Sequence, residues 1–266
     1  MRKIKKIIRS IVCKKNDIRD YAKLEIPINT CVHYAGFRYG CHEFNPLEKS
    51  ACDQHRGVPF LEVRRRFVDF LRYYRPNHLG EALGINLDKH YPLWAYPWRF
   101  LSKEDRSPTF GWHKKPEEIE DIITHYSEYG IISYLIDQEF FWQERALSLI
   151  ARNSYQPEKY SYVKTLELRR VDQSFAHILI DGNHRVSALS ALGYKSVVVL
   201  RDKSMIIMES DLEKWPEVKS GRMSLEDARA IFEVYFHGNH SWRTTKKPAS
   251  IIANYDWKKL YLINDL

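Results

Sequence analysis

The 266-residue chain contains no apolar run approaching the roughly 18 residues that a membrane span requires. It shows no internal repeat and no low-complexity segment, so solenoids and repeat arrays are excluded. The basic first residues lack the continuous apolar stretch and small-residue cleavage site of a secretory leader. Cysteine is scarce, with 4 residues, Cys13, Cys31, Cys41 and Cys52, all in the first fifth of the chain. No Cys-x-x-Cys pair occurs, which removes the common zinc knuckles. A cytoplasmic protein with reduced thiols is the expectation. Cys31, His33, Cys41, His42, Cys52 and His55 still form a possible zinc-ligand set in an irregular stretch. Reduced cysteines among incidental histidines are the competing reading.

Hydrophobic residues (44%) and charged residues (29%) are present in the proportions of an ordinary folded protein. Aromatic residues reach 14%, with 7 Trp and 17 Tyr, enough for a well-filled core and for exposed rings that stack on a sugar or a base. The formal net charge is +8. Such a balance favours nucleic acid, anionic lipid or phosphorylated small molecules, and does not choose among them.

Residues 1–15 place Ile4, Ile7, Ile8, Ile11 and Val12 at helical spacing, with Lys and Arg on most of the remainder. This pattern suits a helix on an anionic membrane surface, which would put the protein at the inner face of the membrane. It suits equally a terminal helix docked on the protein's own core. Residues 16–110 read as an irregular and helical, aromatic-rich region. Within it, 61–75 has helical periodicity up to Pro76. The segment Tyr91–Trp98 brings four rings into eight residues broken by prolines, to line a glycan or nucleotide cleft or to cover the core.

From Pro116 the pattern becomes regular. Pro116 with its following acids starts a helix running to about Tyr129, and a second helix covers Gln138 to Ala151. Strands are predicted at Val163–Val171 and Phe175–Ile180, joined by the polar turn Asp172-Gln173-Ser174. A short helix ends at Gly193, and the β-branched strand Ser196–Leu200 follows. Ser224 caps a helix Leu225–Phe236, with Asp227 at the capping-box position.

The most informative segment is Ile178–Leu200. Asp181 ends a buried strand, where ligands of strand–helix units commonly bind. Gly182 can adopt a positive φ and admit a ligand to the backbone. The amides of Asn183 and His184 open the helix without intrahelical partners, and an anion can supply them, aided by the helix dipole. Arg185 adds a planar fork suited to phosphate. Ser187, Ala188, Ser190 and Ala191 let the helix lie close against a sheet. An ordinary helix cap is the competing reading of Asp181.

The string Asp181-Gly182-Asn183-His184-Arg185, with Ala188 and Leu192-Gly193, resembles the DG-x-HR…A…LG signature of the ParB/sulfiredoxin superfamily. The resemblance covers about Tyr162 to Asp202. It implies an α+β fold: a small mixed sheet with flanking helices as a core over 111–205, a helical C-terminal extension over 206–266, and a turn that binds nucleotide phosphates. Its branches differ in chemistry. Sulfiredoxins place a catalytic cysteine where this chain has Asn183. ParB proteins use a Gly-Glu-Arg-Arg turn and a following helix-turn-helix, which is not apparent here. The branch that phosphorylates free serine uses Asp-Gly-His-Thr-Arg; Asp181 and Arg185 fit it, and His184 stands where that branch has Thr.

The resemblance therefore implies a kinase of a small molecule or sugar, using ATP or ADP with Mg²⁺ and acting on a glycan or small-molecule hydroxyl, with surface-polysaccharide biosynthesis as one setting. Asp181 is expected to hold the metal or act as base, Glu167 to serve as base, and His184 to contact phosphate or orient Asp181. Gly182, Asn183, His184 and Arg185 are expected to bind the nucleotide. The competing expectation is a ParB-like protein or nuclease whose partners are a nucleotide and DNA.

Overall fold

The computed structural model describes residues 21–40, 45–73, 78–92, 95–99 and 134–239. The basic N-terminal segment, Cys13, Cys41, His42, the helix expected after Pro116 and residues 240–266 lie outside them.

The described chain is α+β, built on a five-stranded mixed sheet. Strands β1 (Tyr21–Pro27), β2 (Cys31–Val32), β3 (Val163–Arg169), β4 (Phe175–Asp181) and β5 (Ser196–Met208) lie in the order β1-β5-β3-β4-β2. The β1–β5 and β3–β4 pairs are antiparallel, and β3–β5 and β2–β4 are parallel. The β3–β4 hairpin turns through Asp172, whose carboxylate accepts from the Ser174 amide at 2.8 Å. This is the side-chain-stabilised turn that the Asp-Gln-Ser sequence favours.

Helices cover both faces: α1 (Pro46–His55), α2 (Phe60–Tyr73), α3 (Leu79–Leu83), α4 (Tyr134–Asn153), α5 (Pro157–Tyr160), α6 (Asn183–Ala191), α7 (Pro216–Lys219) and α8 (Leu225–His237). On one face Val163, Leu179, Val197 and Val199 pack with Val186, Ala188 and Leu189 of α6 and Ile150 of α4. On the other, Leu166, Leu168 and Ile178 pack with Ile231, Phe232 and Tyr235 of α8 and with the aromatic segment around Tyr96. The alternation of these residues along each strand is the period-two pattern of a sheet buried on both sides. Each fully buried aliphatic side chain contributes about 1.5–3 kcal/mol.

Helix α1 packs across α6, where small side chains permit close approach. Its Glu48 is fully buried, accepting from the Gly40 amide at 2.6 Å and from the Ser190 hydroxyl. Neighbouring Asp53 is held by Lys49 and by Arg66 at 3.1 Å, so α1 and α2 share one buried ionic network. Burying these acids is sustainable because each has donors in place.

Several expectations are corrected here. Residues 21–32 are not irregular: Leu24 and Ile26 alternate with Lys23 and Glu25 and form an edge strand paired to β5. The sheet therefore draws on residues well before 111 and continues past 205. Strand β5 does not stop at Leu200: Arg201 still pairs with Thr165, a bulge absorbs Asp202–Met205, and pairing with β3 resumes at Ile206. Ser224 does cap α8, accepting from the Asp227 amide at 3.1 Å, but Asp227 makes no reciprocal box. Its carboxylate instead takes the Tyr91 hydroxyl at 2.5 Å and the Asp88 amide at 3.0 Å, pinning that loop to α8.

Cys31 and Cys52 are buried thiols, and burial pushes the Cys52 thiol up to about 12. Among the described residues no cluster of three metal-ligating side chains exists, and no helix is long and apolar enough to cross a membrane.

Candidate anion-binding turn

The turn between β4 and α6 is fixed by three contacts. Gly182 has φ +99°, in the left-handed region open chiefly to glycine. A Cβ there would stand 2.8 Å from Val163 Cγ2 and 3.2 Å from Val163 Cα, so the turn lies directly against β3. Arg185 reaches back from the first turn of α6. Its Nη1 donates to the Ser161 carbonyl at 2.5 Å, and its Nη2 pairs with Asp181 Oδ2 at 3.1 Å. Asn183 Oδ1 accepts from the Tyr39 hydroxyl at 3.1 Å. Tyr39 is itself fully buried, and burial pushes its hydroxyl well above the usual range.

No side chain caps α6. Asp181 is not a helix cap; its carboxylate is about half exposed and faces Arg185. The first turn of a nine-residue helix is thus open at its positive end. It opens on a cavity of about 310 Å³ lined by Asp181, Gly182, His184 and Arg185. The opposite wall is Trp142 and Arg145 of α4 with Tyr155 and Tyr160. Arg145 lies 5.5 Å from the Trp142 ring centroid, a cation–π distance. The volume is at the small end of ligand sites. It suits a phosphate chain with part of its carrier, the rest lying along the exposed Trp142 ring.

The turn residues Asp181, Gly182, Asn183, His184 and Arg185 come together as their spacing implies. Glu167 does not join them. It stands opposite His177 in the β3–β4 register, whereas Lys164 stands opposite Asp181. Three residues along a strand is roughly 10 Å. Glu167 is also buried and clamped by Arg169 and Arg201. Burial pushes its carboxyl up, but the hydrogen bonds from Arg201 and then Arg169 outweigh this and hold it below the ordinary range. A carboxylate so stabilised is a poor base, and that expected role is withdrawn on physical grounds.

The α4 wall was not assigned a role from sequence. Adjacent Phe141 and Trp142 were the available signal, since both remain exposed on a helix whose other face is buried.

Two buried histidines flank this region. His33 is pushed down to about 3, by burial and then by the nearby His184. His177 faces Glu167, Arg201 and Arg169 and is pushed down to about 4, with burial the largest cause.

No family model, curated protein or solved structure matches the chain. What the fold and site define is an α+β protein with an uncapped, glycine-started helix facing a cationic and aromatic cavity.

Two outcomes are expected. Gly182→Ala strains the backbone and crowds Val163, so it lowers stability by about 1–3 kcal/mol in urea unfolding, whereas Gly221→Ala, with no neighbour at its Cβ, loses only the positive-φ cost. The histidines give a pH dependence. Their folded pKa values lie below the unfolded 6.5, so the unfolded chain binds more protons and stability is lost as pH falls from about 6.5 toward 4. The His177→Gln variant removes one titrating group, so its unfolding free energy declines less steeply over that window, by up to about 1.4 kcal/mol per pH unit. Equal slopes for variant and wild type contradict the assignment.

Proposed function

We propose that the chain is a nucleotide-dependent phosphotransferase that phosphorylates a hydroxyl of a small molecule or sugar, on a ParB/sulfiredoxin-like core. The observation that carries this reading is the uncapped start of α6 opening on the cavity between the turn and the α4 wall. Phosphoryl transfer needs little covalent chemistry from a protein. It needs charge neutralisation, in-line positioning and a proton acceptor.

The geometry supports the following roles. The amides of the first α6 turn and the cations Arg185 and Arg145 hold the terminal phosphates. Arg185 also ties the turn to Ser161, so it positions the amides as well as adding charge. Trp142 and Tyr160 receive the nucleoside. Asp181 is an exposed hard oxygen donor. It fits the single protein carboxylate required by a Mg²⁺ ion that is bound mainly to phosphates, and the ion would neutralise developing charge there. The acceptor oxygen attacks the terminal phosphorus, the bridging P–O bond breaks, and the nucleotide leaves one phosphate shorter. With Glu167 engaged elsewhere, His184 beside Asp181 in the cavity lining takes the acceptor's proton.

Calorimetric titration with ATP, ADP, CTP and GTP in the presence of Mg²⁺ tests this. At least one nucleotide is expected to bind. Arg185→Ala should weaken it about tenfold or more, the loss of a charge-assisted hydrogen bond. Trp142→Ala, at an exposed position, should weaken it without a change in thermal stability. Absence of binding by all four nucleotides overturns the reading.

A further inference from the structure

On the opposite face of the sheet from α6 lies a second, larger cavity of about 670 Å³. One wall is aromatic. The Tyr96 and Trp98 rings stack at 5.6 Å between centroids and 14° between planes. Their positions are fixed from behind: Trp98 meets Trp215 and Tyr235 edge-on, and the Tyr96 and Tyr235 hydroxyls donate to the Tyr34 carbonyl at 3.0 and 2.8 Å. The facing wall is the β5 bulge, with Asp202, Ser204 and Met205, and exposed Ile180 at the end of β4.

The bulge has an unusual feature. Between its two pairings with β3, β5 advances from Arg201 to Ile206 while β3 advances only from Thr165 to Glu167. The extra residues turn Asp202 into the cavity lining. Asp202 is 2% exposed. Its Oδ1 accepts from the Ser204 amide at 2.9 Å and the Ser204 hydroxyl at 2.6 Å. Among the described residues no donor reaches Oδ2. Although the residue as a whole is buried, Oδ2 keeps access to the cleft, and bulges recur where a side chain is aimed at a ligand.

We infer that this cleft binds a neutral, polyhydroxylated ring, a sugar in pyranose form, with hydroxyls donating to Asp202 and an apolar ring face against Tyr96 and Trp98. Charge narrows the choice. Asp202 repels an anion, and the Ser204 hydroxyl beside it, which donates to Asp202, leaves its oxygen to accept, so a ligand with several hydroxyl donors fits best. A flat aromatic face beside a carboxylate and a hydroxyl matches a ring with C–H bonds on one face and hydroxyls at its edge. Sugar binding here stands independently of nucleotide binding. The further step, that this sugar is the phosphate acceptor, rests on the phosphotransferase reading, and Ile180 links the cleft to Asp181 in sequence.

Saturation-transfer NMR on the full chain, with a panel of methyl hexopyranosides and N-acetylhexosamines and with adenosine as comparator, tests the inference. At least one sugar is expected to receive saturation. Asp202→Asn should reduce the signal at least fivefold. Because that change also disturbs the bulge, Ile180→Trp provides the second arm, since it fills the cleft from an exposed position and should abolish the signal. ADP titration is run on the same variants and should be unchanged. Sugar binding without any ADP binding upholds the cleft and overturns only its role as acceptor site. No saturation of any sugar, sugar signals indifferent to both variants, or adenosine binding lost in both variants in place of sugar overturns the inference.

Discussion

The packing of Gly182 against Val163 governs the rest of the site. Because the glycine has no Cβ, β4 can turn at a positive φ directly on β3 and enter α6 without a side chain at the helix start. A larger residue would push the helix off the sheet. The Tyr39–Asn183 and Arg185–Ser161 bonds then hold the first turn of α6 in place, from the β2 side and from the chain entering β3. The open amides are thus positioned by neighbours on three sides. Such preorganisation is what an electrostatic site requires, because its donors need not move when charge arrives.

The sheet separates two kinds of chemistry. Its α6 face carries the cationic turn cavity, with Arg145 and Arg185. Its α8 face carries the aromatic cleft with a buried carboxylate. The N-terminal part of the chain serves both. Its β1 and β2 close the two edges of the sheet, α1 braces α6 through Glu48 and Ser190, and the segment around Tyr96 and Trp98 builds the cleft wall. A stretch that looks like an irregular appendage is therefore part of the same core.

The parts of the fold visible in the sequence were those with local causes. The β3–β4 hairpin, the β4–turn–α6 unit and α8 each carry a strong pattern: β-branched runs, a polar turn, a glycine, or a Ser cap. Strand β1 was missed because its alternation is confined to Lys23–Ile26, too short a run to read as a strand without its pairing to β5. The far half of β5 was missed because Arg-Asp-Lys-Ser reads as a strand end, whereas a bulge lets pairing resume beyond it. At the site, Asp181 through Arg185 were legible because chain neighbours meet regardless of fold. Glu167 was misassigned because strand register, not sequence distance, decides which acid approaches the turn, and because its arginine partner Arg201 lies on a different strand. The α4 wall and Asp202 depend wholly on long-range packing.

The start of α6 is proposed to be a phosphate site. Amide-resolved NMR titration reads it directly, first with inorganic phosphate and then with ADP. Saturable shifts confined to the amides of Gly182, Asn183 and Arg185, followed with ADP by the Trp142 indole, are the predicted result. Unmoved amides at the turn, with shifts gathered instead at other arginines such as Arg169 and Arg201, would contradict it.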